Sequence, residues 1–402
     1  MNQANQKLWT KDFLVVSVIN FFTILIFYLL MVTISVYAVE AYGATTSQAG
    51  LVTGIFIIGT LIGRLLIGRI MDSIGRKKTL LIGLVLFVLT TAFYFLDLGL
   101  TFLLVNRFFH GITVGIASTA AGTIVAQIIP MSRKGEGIGY FAMSATLATA
   151  VGPFIGLFMS QHTSFQVIFG LCLVLGVLNL FIGLLVAVPK VETEGKKIEF
   201  NGFKLSDFVE PRALPIALVT LTVAFCYSSV LSFINFYAME INLVSAASFF
   251  FVVYAVAVLI SRPFTGRLMD AKGANYVMYP AFFLLAAGLI LLSMAGSSFT
   301  LLLAGILIGL GFGNMQSCTQ AIAVKLTPSH RMGLATSTFF IALDAGLGFG
   351  PYLLGFVIPV TGYQSLYMIL GIVSLASIVL YYFLYGKMEK EKKAAMDTSA
   401  AV

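Results

Sequence analysis

Charge is what this sequence has least of. Only 10% of its 402 residues are Asp, Glu, Lys or Arg, against 59% hydrophobic residues. A water-soluble chain of this length needs far more polar surface, so lipid is the solvent for most of it. Cysteine is nearly as scarce. Cys172, Cys226 and Cys318 lie scattered in apolar runs, cannot all pair and have no metal-ligand spacing. That argues against a disulfide framework or a metal site and makes them small buried hydrophobes. No zinc motif, phosphate-binding loop, ATP site or dinucleotide fingerprint occurs, and no nucleophile–base constellation can be assembled. Neither enzymatic activity nor a cofactor is expected. Glycine is plentiful, but stretches such as Gly309-Leu310-Gly311-Phe312-Gly313 lie inside long apolar runs, where glycine lets helices approach one another.

Apolar runs long enough to cross a bilayer fall at 13–39, 47–69, 79–96, 99–127, 135–159, 165–188, 213–238, 244–267, 275–296, 299–324, 332–358 and 364–386. These are helices 1 to 12 of an all-α membrane protein. Lys7 and Lys11 ahead of the first run imitate a signal peptide. The run is too long for that, and no small-residue cleavage site precedes Glu40, so it reads as a retained helix. The loops are short except 189–212, which carries Lys190, Lys196, Lys197, Lys204 and Arg212 balanced by Glu192, Glu194, Glu199, Asp207 and Glu210. It reads as a solvated linker between two six-helix bundles, 1–188 and 213–386, with a tail at 387–402.

The chain has 24 Lys and Arg. Arg64, Arg107 and Arg262 lie within helices. The other 21 fall at the N-terminus, in or beside the even-to-odd loops, or at the C-terminus. The odd-to-even loops hold only Glu40, Asp97, His162 and Glu240 among ionisable groups. The positive-inside rule therefore places both termini and the linker in the cytoplasm. The net charge of +8 follows from this bias and calls for no nucleic acid. Short loops and the absence of an organellar targeting segment fit a multi-pass protein of a bacterial inner membrane.

The two bundles repeat one another. Arg64-x-x-x-Gly68-Arg69-Ile70-Met71-Asp72-x-x-Gly75 returns 198 residues later as Arg262-x-x-x-Gly266-Arg267-Leu268-Met269-Asp270-x-x-Gly273. Pro130 and Pro328 keep that offset, as do Arg133 and Arg331, Gly135 and Gly333, and Gly152-Pro153 and Gly350-Pro351. Tyr37-Ala38-Val39-Glu40 returns as Tyr237-Ala238-Met239-Glu240 at an offset of 200. Parallel repeats of this kind are a transporter arrangement, with a substrate site expected near the bilayer midplane between the repeats.

The stretch Gly68-Arg69-Ile70-Met71-Asp72-Ser73-Ile74-Gly75-Arg76-Lys77 resembles the helix 2–helix 3 loop of the major facilitator superfamily. The resemblance implies that Asp72 sits near the start of helix 11 and Asp270 near the start of helix 5. Each would be a latch at a helix N-terminus that inward opening has to break. Arg76, Lys77 and Lys78 would shield or pair with Asp72. Ala274-Asn275 replaces Arg76-Lys77 in the second copy, so that latch is expected to be the weaker. The alternative is that the cluster is only a topology signal.

Arg107-Phe108-Phe109-His110-Gly111 in helix 4 resembles the signature of the superfamily's drug–proton antiporters, whose arginine is implicated in proton coupling. An arginine at this depth usually faces a cavity or a partner. His110 stands where glutamine is usual. Imidazole ordinarily titrates near neutrality, so His110 is a proton-coupling candidate, with a plain hydrogen-bonding role as the alternative. Gly152-Pro153-Phe154-Ile155-Gly156 in helix 5 resembles the exporters' motif, with Leu157 replacing its last glycine. Ser144, Ala148, Gly152 and Gly156 form a small-residue face, whose alternative role is plain packing.

Asp344 is the only acid deep in any helix, which makes it a candidate to bind a proton or a cationic substrate. Its alternative role is structural. Many drug exporters of the superfamily carry an acid in helix 1, where this chain has Asn20. By the same resemblance Asn20, Tyr28, Tyr227, Asn235, Asn314, Gln316 and Gln320 are substrate-cavity candidates, each with interhelical hydrogen bonding as its alternative. The chain is thus expected to be a monomeric secondary transporter that expels small amphipathic compounds by alternating access, in exchange for protons. The rival is a proton-coupled importer or uniporter of a sugar or other metabolite. A membrane receptor would normally need a signalling domain, and the tail is too short for one.

Overall fold

The computed structural model describes residues 7–188 and 208–391. Most of the linker, including Lys190, Lys196, Lys197, Lys204, Glu192, Glu194, Glu199 and Asp207, lies outside the described residues. Helices 1 to 6 run Lys11–Tyr42, Thr46–Ile74, Arg76–Ala92, Leu100–Ile128, Lys134–His162 and Phe165–Leu184. Helices 7 to 9 run Leu214–Glu240, Val244–Lys272 and Asn275–Ser293. Helix 10 spans Ser298–Lys325. A last helical stretch, Met332–Tyr381, is broken only at Gly362, with φ 71° and ψ 171°. That residue separates helix 11 (332–361) from helix 12 (363–381), giving twelve long helices among the described residues. A single left-handed glycine does the work of the loop that the sequence suggests around Pro359. There is no strand among the described residues.

Local chemistry sets the helix ends. Thr10 caps helix 1, accepting the Phe13 N–H at 3.2 Å. Thr45 and Gln48 form a capping box at helix 2, and Ser297 and Thr300 form one at helix 10. Gly75 and Gly273 occupy matching places in the repeat, with φ of 98° and 96°. Both turns into the next helix need this left-handed backbone, which explains why the signature keeps glycine there.

Two compact units emerge. The first comprises Met1–Pro130, Ser144–Glu210 and Thr327–Ile341; the second comprises Met131–Met143, Pro211–Leu326 and Ala342–Val402. The start of helix 11 thus belongs with the first unit, and the start of helix 5 with the second.

In the first unit helices 2 and 4 cross at backbone contact. A Cβ on Gly59 would lie 2.1 Å from the Phe108 carbonyl oxygen, and one on Gly111 would lie 2.1 Å from that of Phe56. Gly63 and Gly115 meet Ile112 and Thr60 in the same way. A buried apolar cluster that includes Ile26, Leu30, Phe56, Phe87, Tyr94 and Phe169 fills the space beside this crossing.

In the second unit the corresponding crossing joins helices 8 and 10. Gly309 meets Tyr254 and Gly313 meets Val258, each pair 198 residues on from its counterpart. Helix 10 nonetheless differs from helix 4, because Gly309–Gly313 forms a π turn. Ala257 and Ser261 on helix 8 replace the glycines at positions 59 and 63. The backbones therefore cannot close in the same way. Hydrogen bonds around the turn involve side chains: Asn314 donates to the Leu310 carbonyl at 2.8 Å and Arg262 to that of Gly313 at 3.0 Å.

Candidate functional site

Helix 2 ends with Asp72 facing the first turn of helix 11. Its Oδ2 accepts the Gly333 N–H at 3.3 Å and its Oδ1 accepts from Arg76 Nε at 2.9 Å. Arg76 is buried; it also donates to Gln127 Oε1 at 2.8 Å and to the Ser329 carbonyl at 2.5 Å. Lys77 turns away and donates to the Leu184 carbonyl at 3.2 Å, at the C-terminus of helix 6. Gly68 is needed for the approach of helix 11, since a Cβ there would lie 2.5 Å from the Ser337 side chain. The Ser337 hydroxyl donates to the Arg64 carbonyl at 2.6 Å, and the Arg64 guanidinium lies 4.3 Å from the Phe340 ring centroid.

The second unit builds the same contact from different parts. Asp270 accepts the Gly135 and Glu136 N–H groups, each at 2.8 Å, at the start of helix 5. Its cation is Lys325, at 2.8 Å. Position 325 matches Gln127 in the repeat, and Ala274 matches Arg76. The basic group has therefore moved from the signature to the end of helix 10. Asp270 accepts two N–H groups at the start of helix 5 where Asp72 accepts one at the start of helix 11. Lys325→Gln is expected to speed amide exchange over 131–140 by about tenfold, the effect of losing one charge-assisted bond. Lys325→Arg should leave it near the wild-type rate, read by deuterium-exchange mass spectrometry.

Arg107 and His110 meet deep in the first unit, and both are fully buried. Arg107 Nε donates to the Val52 carbonyl at 3.2 Å, Nη1 donates to the Tyr94 hydroxyl at 3.2 Å, and the guanidinium lies over the Phe56 ring at 4.3 Å. Tyr94 Oη is 2.8 Å from His110 Nδ1. That pair shares one hydrogen bond, and Tyr94 accepts a second from Arg107. His110 is packed among the Phe56, Phe87 and Tyr94 rings. Tyr94 is the member of this cluster that the sequence reading missed. Only a buried tyrosine in a short turn after helix 3 could have signalled it. Asp344 lies half-buried in helix 11 and belongs to the second unit.

The small-residue face of helix 5 is seated on helix 1. Ser144 accepts from Asn20 Nδ2 at 2.9 Å. A Cβ on Gly152 would lie 3.0 Å from the Leu25 carbonyl oxygen, and one on Gly156 would lie 2.8 Å from that of Leu29. Pro153 is accommodated within the helix. Helix 11 repeats this face on helix 7: Gly346 meets Leu221 and Ala224, and Gly350 meets Phe225 and Ser228.

The cavity candidates separate by environment. Asn314 is buried and bonded to Ser261, Leu310 and Thr265 at 2.8–2.9 Å, which uses both its donors and its carbonyl. Tyr227 is buried and stacks on Phe312, with ring centroids 4.0 Å apart. Tyr28 and Gln316 are half-buried. Gln320 is buried, and its Nε2 lacks a hydrogen-bond partner among the described residues. The Asn235 side chain lies outside the described residues. No metal-binding cluster occurs among the described residues.

Twelve apolar helices in two repeats, with a carboxylate at the start of helix 11 and another at the start of helix 5, define a multi-pass membrane protein of the transporter class. The chain belongs to the Major Facilitator Superfamily, whose sequence profile matches residues 16–342 and 243–400. Proteins of this superfamily take small-molecule substrates and sit in a lipid bilayer. An uncharacterized MFS-type transporter of Methanocaldococcus jannaschii is 26% identical over 92% of this chain and 97% of its own length. The staphylopine export protein of Staphylococcus aureus is 19% identical over 85% of this chain and 88% of its own. The crystal structure of the human organic anion transporter MFSD10 superposes with a TM-score of 0.75 at 15% identity, covering 92% of this chain and 98% of that one. At that identity the likeness is one of fold.

Proposed function

We propose that this transporter expels small amphipathic compounds from the cytoplasm by alternating access, with protons moving inward in exchange. The observation that carries the direction is the Gly152-Pro153-Phe154-Ile155-Gly156 stretch of helix 5, whose glycines meet the backbone of helix 1. The export protein among the relatives supports the same direction. The basic loops and both termini lie in the cytoplasm of a bacterial cell, and the chain works as a monomer of two six-helix bundles. Asp344 is the site that takes up a proton or a cationic substrate. Arg107, held by the Val52 carbonyl and Tyr94, is the fixed positive charge of the coupling path. Asn20, Tyr28, Tyr227, Gln316 and Gln320 contribute to substrate binding, and Asn314 supports helix 10. Asp72 and Asp270 are the cytoplasmic latches, and the inward-open state releases both. Each inward elementary charge supplies roughly 2.3 kcal/mol per 100 mV, enough to drive accumulation against a gradient.

The test is reconstitution into proteoliposomes with an imposed pH step, following a panel of lipophilic cations and small metabolites. Substrate is expected to move against the protons, and Asp344→Asn is expected to reduce gradient-driven flux to background. Substrate moving with the protons would overturn the export reading. Persistent coupling in Asp344→Asn would assign that carboxylate a structural role.

A further inference from the structure

The repeat is broken at one place where the two units still make parallel contacts. In the second unit Glu136 lies beside Asp270 and joins two arginines, accepting from Arg133 Nε at 2.7 Å and from Arg267 Nε at 2.8 Å. Its counterpart on helix 11 is Leu334, so the first unit has no such carboxylate there. The counterparts of the two arginines are nevertheless present, as Arg331 and Arg69.

Both arginines are met by the end of the linker. Glu210 Oε2 pairs with Arg331 Nε at 2.5 Å, and the Glu210 N–H donates to Thr338 Oγ1 at 2.9 Å. The Phe208 ring lies under the Arg69 guanidinium at 4.8 Å. Glu210 is only 3% exposed, which is unusual for a carboxylate. These contacts flank Gly333, whose N–H is capped by Asp72, and hold the signature arginine within one turn of Asp72 on helix 2.

We infer that Phe208–Glu210 is a working part of the latch on helix 11, with Glu210 a positioning residue that supplies from the linker the carboxylate that Glu136 supplies in the second unit. The inference rests on the reading of Asp72 as a latch. It makes the linker more than a tether: displacing its last turn loosens helix 11 and leaves the Asp270 contact on helix 5 intact.

The test is deuterium exchange on the full-length protein in lipid nanodiscs, comparing segments 327–341 and 131–143. Glu210→Ala and the milder Glu210→Gln are expected to raise exchange in 327–341 by about tenfold, the effect of a lost buried charge pair, with 131–143 unchanged. Glu136→Gln is expected to do the reverse. Adding Leu334→Glu to Glu210→Ala should restore protection, because it puts the carboxylate where the second unit has it. If Asp72→Asn raises exchange in 327–341 but neither Glu210 variant does, the linker is passive and the inference falls while the latch reading stands. If none of the three raises it, both fall. Equal rises in the two segments would mean general loosening and would also overturn it.

Discussion

Gly111→Val is expected to cost the protein its fold. The added Cβ would lie 2.1 Å from the Phe56 carbonyl oxygen and 3.0 Å from the Thr60 nitrogen, both backbone atoms of helix 2. A helix backbone cannot yield locally, so helices 2 and 4 have to separate. Separation also forfeits the contacts at Gly59, Gly63 and Gly115. Helices in lipid associate through close packing rather than through a hydrophobic driving force between them, so that loss has no compensation. The penalty should exceed about 4 kcal/mol, the range reached only by severe core lesions. It would be read as loss of the monodisperse peak in fluorescence-detected size exclusion. Gly170→Val is the control. Nothing lies within 4 Å of a Cβ at Gly170, and that variant should behave as wild type.

The second large effect is expected at Arg107, where stability and transport should part. Arg107→Met removes a fully buried guanidinium that has hydrogen bonds to Val52 and Tyr94 but whose Nη2 has no hydrogen-bond partner among the described residues. Taking an ion out of water is costly, and replacing a buried charge with an apolar side chain of similar reach is often neutral or stabilising. The melting temperature should hold or rise. Proton-driven flux in proteoliposomes should fall to background, because the variant lacks the fixed positive charge of the proposed coupling path. A variant that loses transport and melts several degrees lower would assign Arg107 a structural role.

The fold was largely legible because its signals are local and repeated. A span is a run of apolar residues, and a turn between helices is a glycine with basic neighbours. The site was legible where residue type alone carries the chemistry. Asp72 and Asp270 stood out through the resemblance to the superfamily's helix 2–helix 3 loop and its repeat, and they accept the Gly333 and Gly135 N–H groups. Partners made of backbone or brought in from distant segments were not legible. Arg107 is held by a carbonyl of Val52, which any residue offers, and by Tyr94 from another helix end. Asn314, read as a candidate for the cavity, proves to be fully bonded within its own unit.

The sequence by itself determined that the solvent is lipid, that there are twelve crossings, and that one six-helix unit is used twice. Those properties depend on composition, run length and the placement of charge, which folding does not alter. Only the tertiary structure decided which cation serves which carboxylate. Arg76 serves Asp72, Lys325 serves Asp270, and Glu210 from the linker serves Arg331. A low-dielectric interior requires that a buried charge find a partner but does not fix the segment that supplies it. Two copies of one unit could therefore keep the same contacts while exchanging the side chains that make them.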